Sequence, residues 1–147
     1  MKRGNRLSIS VLVLVLPLLV AACGGSSTDA AVEPATVEEV DGTDLSRVTL
    51  TPEAAERLDI QTASVQDGEG TGMVIPYAAL VYSPTGETWA YTNPKGLTFV
   101  RQRIVVDRID GDRVVLSKGP SPGTKVATVG VAELFGAESG VGADSGH

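Results

Sequence analysis

Between Arg47 and Val129 apolar and polar residues alternate mostly with a period of two, broken every 8–12 residues by turn signals. Such a rhythm predicts short strands that each bury one face. Arg47–Leu50 opens the series. Thr51-Pro52 then predicts a helix over Pro52–Asp59, with Thr51 as N-cap, Pro52 in the first turn, and Glu53 and Glu56 near the positive end of its dipole. Ile60–Val65 alternates again, and the Gly-rich stretch Asp67–Gly72 reads as a loop. Met73–Ile75 is a strand stopped by Pro76, with Tyr77–Tyr82 extending it after a kink.

Thr88–Thr92 places the Trp89 and Tyr91 rings on one face. Leu97–Ile109 is the longest predicted strand, with Val100, Ile104 and Val106 on the core side and Arg101 and Arg103 on the other. Asp110-Gly111 is a hairpin turn pair, Arg113–Ser117 returns, and Lys125–Val129 is the last strand. Val131–Phe135 suits a closing turn of helix. The expected fold is mainly β, a small barrel- or sandwich-like domain over residues 45–135 with one short helix.

The flanks do not share this rhythm. Residues 24–44 are Gly-, Ser- and Thr-rich and then acidic, with little to bury, and predict a flexible acidic tether. Residues 136–147 hold four glycines and predict a disordered tail. At the other extreme, Leu7–Val20 is apolar apart from Ser8, Ser10 and Pro17, and follows Lys2, Arg3 and Arg6. A charged start, a short apolar core and small residues before a cut site predict a secretory signal over residues 1–22. The segment is borderline against the roughly 20 apolar residues a membrane helix needs.

Charge sharpens this division. Losing residues 1–22 moves the formal net charge from -6 to -9. An acidic chain argues against nucleic acid as a partner and against peripheral binding to anionic lipid. A single cysteine excludes any disulfide within one chain.

Candidate chemistry is sparse. Gly119-Pro-Ser-Pro-Gly123 fits the G-x-S-x-G nucleophile elbow, but Pro122 lacks the N–H that an oxyanion hole needs after the serine, and Lys125–Val129 reads as strand rather than helix. The only histidine is His147, so no usual general base accompanies Ser121. Transition-metal ligands are too few, and Asp107, Asp110 and Asp112 lack the spacing and closing Glu of a calcium loop. No phosphate loop is present. These readings predict no cofactor, no metal and no enzyme. Trp89 and Tyr91 are candidates for stacking on a ligand, and Arg101 and Arg103 are candidates for contacting a partner.

Two resemblances add to this. Leu19-Val20-Ala21-Ala22-Cys23 resembles the bacterial lipobox, which implies cleavage before Cys23 and acylation of its thiol. Two or three acyl chains would then hold the protein at the cell membrane, facing the periplasm or cell surface. Ile75-Pro76-Tyr77-Ala78-Ala79-Leu80, the Trp89–Tyr91 strand, Phe99–Val106, the Asp110–Leu116 hairpin, and Ser117–Leu134 with its Gly119, Gly123 and Gly130 follow one another in order. By these motifs residues 48–135 resemble the membrane-proximal domain of the periplasmic adaptor, or membrane fusion, family of RND and ABC efflux pumps. Upstream, Leu50–Glu53 and Leu58–Val65 are similar to the family's first strand and helix. In full-length adaptors several hundred residues separate these halves; here Gln66–Gly72 spans the gap. The resemblance implies a lipoprotein that docks on an ABC- or RND-type permease and modulates transport. A lipoprotein binding a small ligand near Trp89 and Tyr91 is the alternative.

Overall fold

The computed structural model describes residues 33–70 and 72–140. The predicted signal, Cys23, most of the predicted tether and residues 141–147 lie outside this range.

The described residues form eleven strands, two helices and one 3-10 turn. In order they are β1 (Ala35–Glu39), β2 (Ser46–Leu50), α1 (Pro52–Arg57), β3 (Gln61–Ser64), β4 (Gln66–Asp67), β5 (Met73–Pro76), the 3-10 turn Tyr77–Ala79, β6 (Val81–Tyr82), β7 (Thr88–Lys95), β8 (Thr98–Arg103), β9 (Val105–Asp110), β10 (Arg113–Lys118), β11 (Lys125–Val129) and α2 (Val131–Glu138). The strands pair into two antiparallel sheets without closing a barrel. The larger runs β1-β2-β8-β7-β11-β3, with β6 also on β7, and the smaller runs β4-β5-β10-β9. The fold is therefore mainly β and sandwich-like, as the alternation implies.

Burial divides into two clusters that lie on opposite faces of the larger sheet. On one face Val48, Leu50, Tyr91, Phe99 and Ala127 pack with Ala54 and Ala55 of α1 and Leu134 of α2. On the other, Ala90, Ile104 and Val126 pack with Ile75, Val114 and Leu116 of the smaller sheet. Neighbours such as Ala90 and Tyr91, or Val126 and Ala127, are therefore all buried although they point in opposite directions.

Several expectations need correction. The predicted long strand Leu97–Ile109 breaks at Ile104, so β8 belongs to the larger sheet and β9 to the smaller. Ile104 is buried between the two sheets at this crossing. The hairpin turn is Gly111-Asp112, one residue later than expected, because Asp110 pairs with Arg113.

The predicted tether contains β1, which pairs with β2 from Ala35↔Leu50 to Glu39↔Ser46. Only Ala35 of this strand packs against the core, so its ordering comes from ladder hydrogen bonds, with Glu38 and Arg47 at 3.7 Å adding little at the surface. Its exposed acids also make a poor template for edge-to-edge pairing.

The predicted tail begins inside α2, which makes a second helix rather than a single closing turn. Gly140 follows it at φ +72, and its N–H bonds to the Ala137 carbonyl. α1 ends with the N–H of Ile60 on the Ala55 carbonyl and that of Asp59 on Glu56, a Schellman closure that holds Asp59 at φ +47. Among the described residues no helix is long and apolar enough to cross a membrane.

Candidate functional site

The register of β7 on β8 sets Trp89 opposite Arg103 and Tyr91 opposite Arg101. All four side chains share the face of the larger sheet on which the helices pack. α2 covers this face. Its residue Phe135 lies with its ring centroid 5.9 Å from the Arg101 guanidinium carbon, and Trp89 lies on the same cation at 4.4 Å. The cation is thus held against two aromatic rings, an arrangement favoured by their quadrupoles and by partial desolvation.

Glu138, in the last turn of α2, completes the cluster. Its carboxylate lies 3.3 Å from Arg101 Nη2. The same carboxylate accepts a hydrogen bond from the Tyr91 hydroxyl and another, at 3.4 Å, from the Ser46 backbone N–H. The Glu138 side chain is only 6% exposed and that of Arg101 17%. A carboxylate this deep persists as an ion only when paired and hydrogen-bonded. Here it ties β2, β7 and β8 to the last turn of α2. Burial, reinforced by the Glu138 carboxylate, holds the Tyr91 phenol well above its ordinary pKa, with Arg101 opposing. Tyr91 therefore stays a hydrogen-bond donor at a pH where an ordinary tyrosine has ionised. Two buried donors, Trp89 Nε1 and Arg101 Nε, make no hydrogen bond among the described residues.

This placement corrects the reading of β8. Arg101 and Arg103 do share one face, but that face is not open to solvent, because α2 lies over Arg101. Only Arg103 remains accessible, 63% exposed and paired at 2.6 Å with Glu87. Tyr91 is fully buried and Trp89 carries Arg101 on its ring, so the pair forms part of the core rather than a stacking platform. Glu138 was hidden in the segment read as tail; its signal was an acid at helical spacing from Leu134 and Phe135.

Ser121 sits in the turn between β10 and β11, where its carbonyl accepts from the Thr124 N–H, and the element that the turn opens is a strand rather than a helix. Gly119 is explained by close packing: a Cβ there would lie 2.8 Å from Leu116 Cδ1 and 3.3 Å from Ile104 Cγ2. Among the described residues no three His, Cys, Asp or Glu side chains gather to hold a metal ion.

Exposed apolar side chains mark one end of the smaller sheet. The Tyr77 N–H bonds to the Asp112 carbonyl at the β9–β10 turn, and Ile109 pairs with Val114 beside Ile75. Tyr77 is 48% exposed and Ile109 46%. The outer face of this sheet carries an open groove of about 430 Å3 lined by Asp67, Glu69, Arg108, Asp110 and Arg113 around Val74 and Val115. The chain matches no protein-family model, no curated protein and no solved structure.

Proposed function

We propose that this protein is a membrane-anchored extracytoplasmic lipoprotein whose β domain binds and modulates a membrane transporter of ABC or RND type, without catalysis of its own. The observation that carries the reading is the junction at residues 66–73. There β4 and β5 form a small hairpin, with Gln66 on Val74 and Asp67 on Met73, closed by the Gly68 N–H on the Gly72 carbonyl. This is the point at which the adaptors that the sequence resembles insert their other domains. A hairpin here leaves a minimal membrane-proximal unit, suited to contact a permease and lacking the parts that reach outward.

The end of the smaller sheet that exposes Tyr77 and Ile109 is the docking surface in this reading, because apolar side chains beside charged ones suit a protein partner. Anchoring rests on Cys23 and the short apolar segment before it. Mass spectrometry of the mature N-terminus tests that part directly. The reading expects an acylated Cys23 as first residue, and a free thiol or a retained Met1 would contradict it.

A further inference from the structure

β9 forms one edge of the smaller sheet, and among the described residues no strand pairs with its outer side. Asp107 is the extra residue of a β-bulge, since Arg108 faces Val115 while Val106 faces Leu116. Beyond the bulge Arg108, Ile109 and Asp110 run regularly to the hairpin turn, all three exposed.

The turn fixes which backbone groups of this stretch point outward. Gly111 has φ +60 and Asp112 lies outside the left-handed region, as in a two-residue type II′ turn. The residues that close such a turn, Asp110 and Arg113, exchange both hydrogen bonds. Pro76 stands opposite Arg113 on the other side of β10 and has no N–H to offer, which fits that direction. Alternation along β9 then turns the N–H and C=O of Ile109 to the free edge.

Self-complementarity decides what can pair there. A two-fold axis through an antiparallel pair of identical strands sets one residue opposite itself. Centred on Asp107 or Asp110 the pairing opposes two acids, and centred on Arg108 two cations. Centred on Val105 it needs the buried Ile104 at the edge, and centred on Val106 it puts Val105 opposite Asp107. Centred on Ile109 every pair is favourable. The two Ile109 residues exchange hydrogen bonds, and Arg108 of each copy faces Asp110 of the other. Arg108 and Asp110 line the same groove, so both ion pairs form on one face of the joined sheet. In the single chain Asp110 makes no ion pair among the described residues. Arg108 reaches exposed Asp107 at 3.2 Å and exposed Glu69 at 3.8 Å, contacts that are worth little in water.

We propose that β9 pairs edge to edge with β9 of a second copy about a two-fold axis at Ile109, joining the two four-stranded sheets into one. The contact is isologous and closes with two copies. It is small against the roughly 1,200–2,000 Å2 of a stable interface, so the pair forms where copies are concentrated rather than in dilute solution. Edge pairing uses backbone groups and leaves side chains on the faces of the sheet. The ends that expose Tyr77 and Ile109 thereby become one surface shared by two copies. The inference goes beyond the transporter reading and does not depend on it.

The test uses the full-length chain, purified in mild detergent, concentrated and oxidised with copper phenanthroline, with dimers read on a non-reducing gel. Wild type sets the background from Cys23. Residues opposite each other in a hydrogen-bonded pair lie about 5.5 Å apart between Cα atoms, within the reach of a disulfide. Ile109→Cys is therefore expected to dimerise at least about five-fold more than wild type or Thr36→Cys, which samples exposed β1. Adding Arg108→Asp or Asp110→Arg to Ile109→Cys opposes like charges twice and should lower the yield about five-fold. Mixing those two chains should restore it, because the copy with two acids then faces the copy with two arginines. Equal yields from Ile109→Cys and Thr36→Cys would overturn the proposal, as would charge reversals without effect or a mixture that stays monomeric. If a charge variant does not fold, the comparison of Ile109→Cys with Thr36→Cys decides alone.

Discussion

Arg101 in the middle of the larger sheet and Glu138 in the last turn of α2 meet at 3.3 Å, with most of both side chains removed from solvent. The contact spans 37 residues of sequence and makes the end of α2 part of the domain.

Breaking this pair should be costly. Glu138→Ala strands the Arg101 cation and removes the acceptor of both the Tyr91 hydroxyl and the Ser46 N–H. A loss of about 3 kcal/mol is expected in urea-induced unfolding, near the low end for a buried pair because Arg101 keeps some access to water. Arg101→Met combined with Glu138→Leu should cost less than the two single changes added together, with a coupling on the order of 1–3 kcal/mol. Strict additivity would show that the contact contributes nothing to folding.

Tyr91 makes the same cluster sensitive to alkali. Its folded-state pKa is raised above the ordinary value of 10.0, chiefly by burial. The folded protein therefore keeps a proton that the unfolded chain releases once pH passes 10. Stability from this group is present in full below pH 10 and declines as pH rises beyond it, by up to about 1.4 kcal/mol per pH unit. Tyr91→Phe should flatten the fall in stability between pH 10 and 11 relative to wild type. At neutral pH the same change should cost about 1.5–3 kcal/mol for the lost hydrogen bond to the Glu138 carboxylate. Parallel alkaline slopes for the two proteins would contradict the placement of this phenol.

β1 yields a prediction that the sequence reading alone would reverse. A chain covering 33–140 should unfold cooperatively. A chain covering 45–140 should be less stable by about 2–4 kcal/mol, since it lacks a five-residue ladder partner of β2. Equal melting temperatures would return β1 to the status of a tether.

These cases show what alternation reveals and where it stops. It located most strand cores, because a half-buried strand must repeat every two residues. It also separated Arg101 from Val100 and Ile104 correctly. It could not say which face is covered, because a period of two distinguishes faces without naming their neighbours. α2 supplies the cover, and its end was obscured by Gly136 and by the glycines beyond it. β1 was illegible for a different reason. Thr36, Val37, Glu38 and Glu39 are exposed, so the strand is ordered by backbone pairing and leaves no apolar pattern to read. The break at Ile104 was hidden because both pieces alternate; the change of sheet is a tertiary event.

The central claim, that this domain works by binding a membrane transporter, is tested most directly by site-specific photo-crosslinking in living cells. Photoreactive residues placed at Tyr77 and Ile109, one at a time in the otherwise native chain, sample the exposed end of the smaller sheet. A third at Thr36 samples β1, away from that end. The account predicts that positions 77 and 109 both capture one integral membrane permease of ABC or RND type and that position 36 does not. Capture of no permease at positions 77 and 109, by a chain that is folded and membrane-anchored, would contradict it.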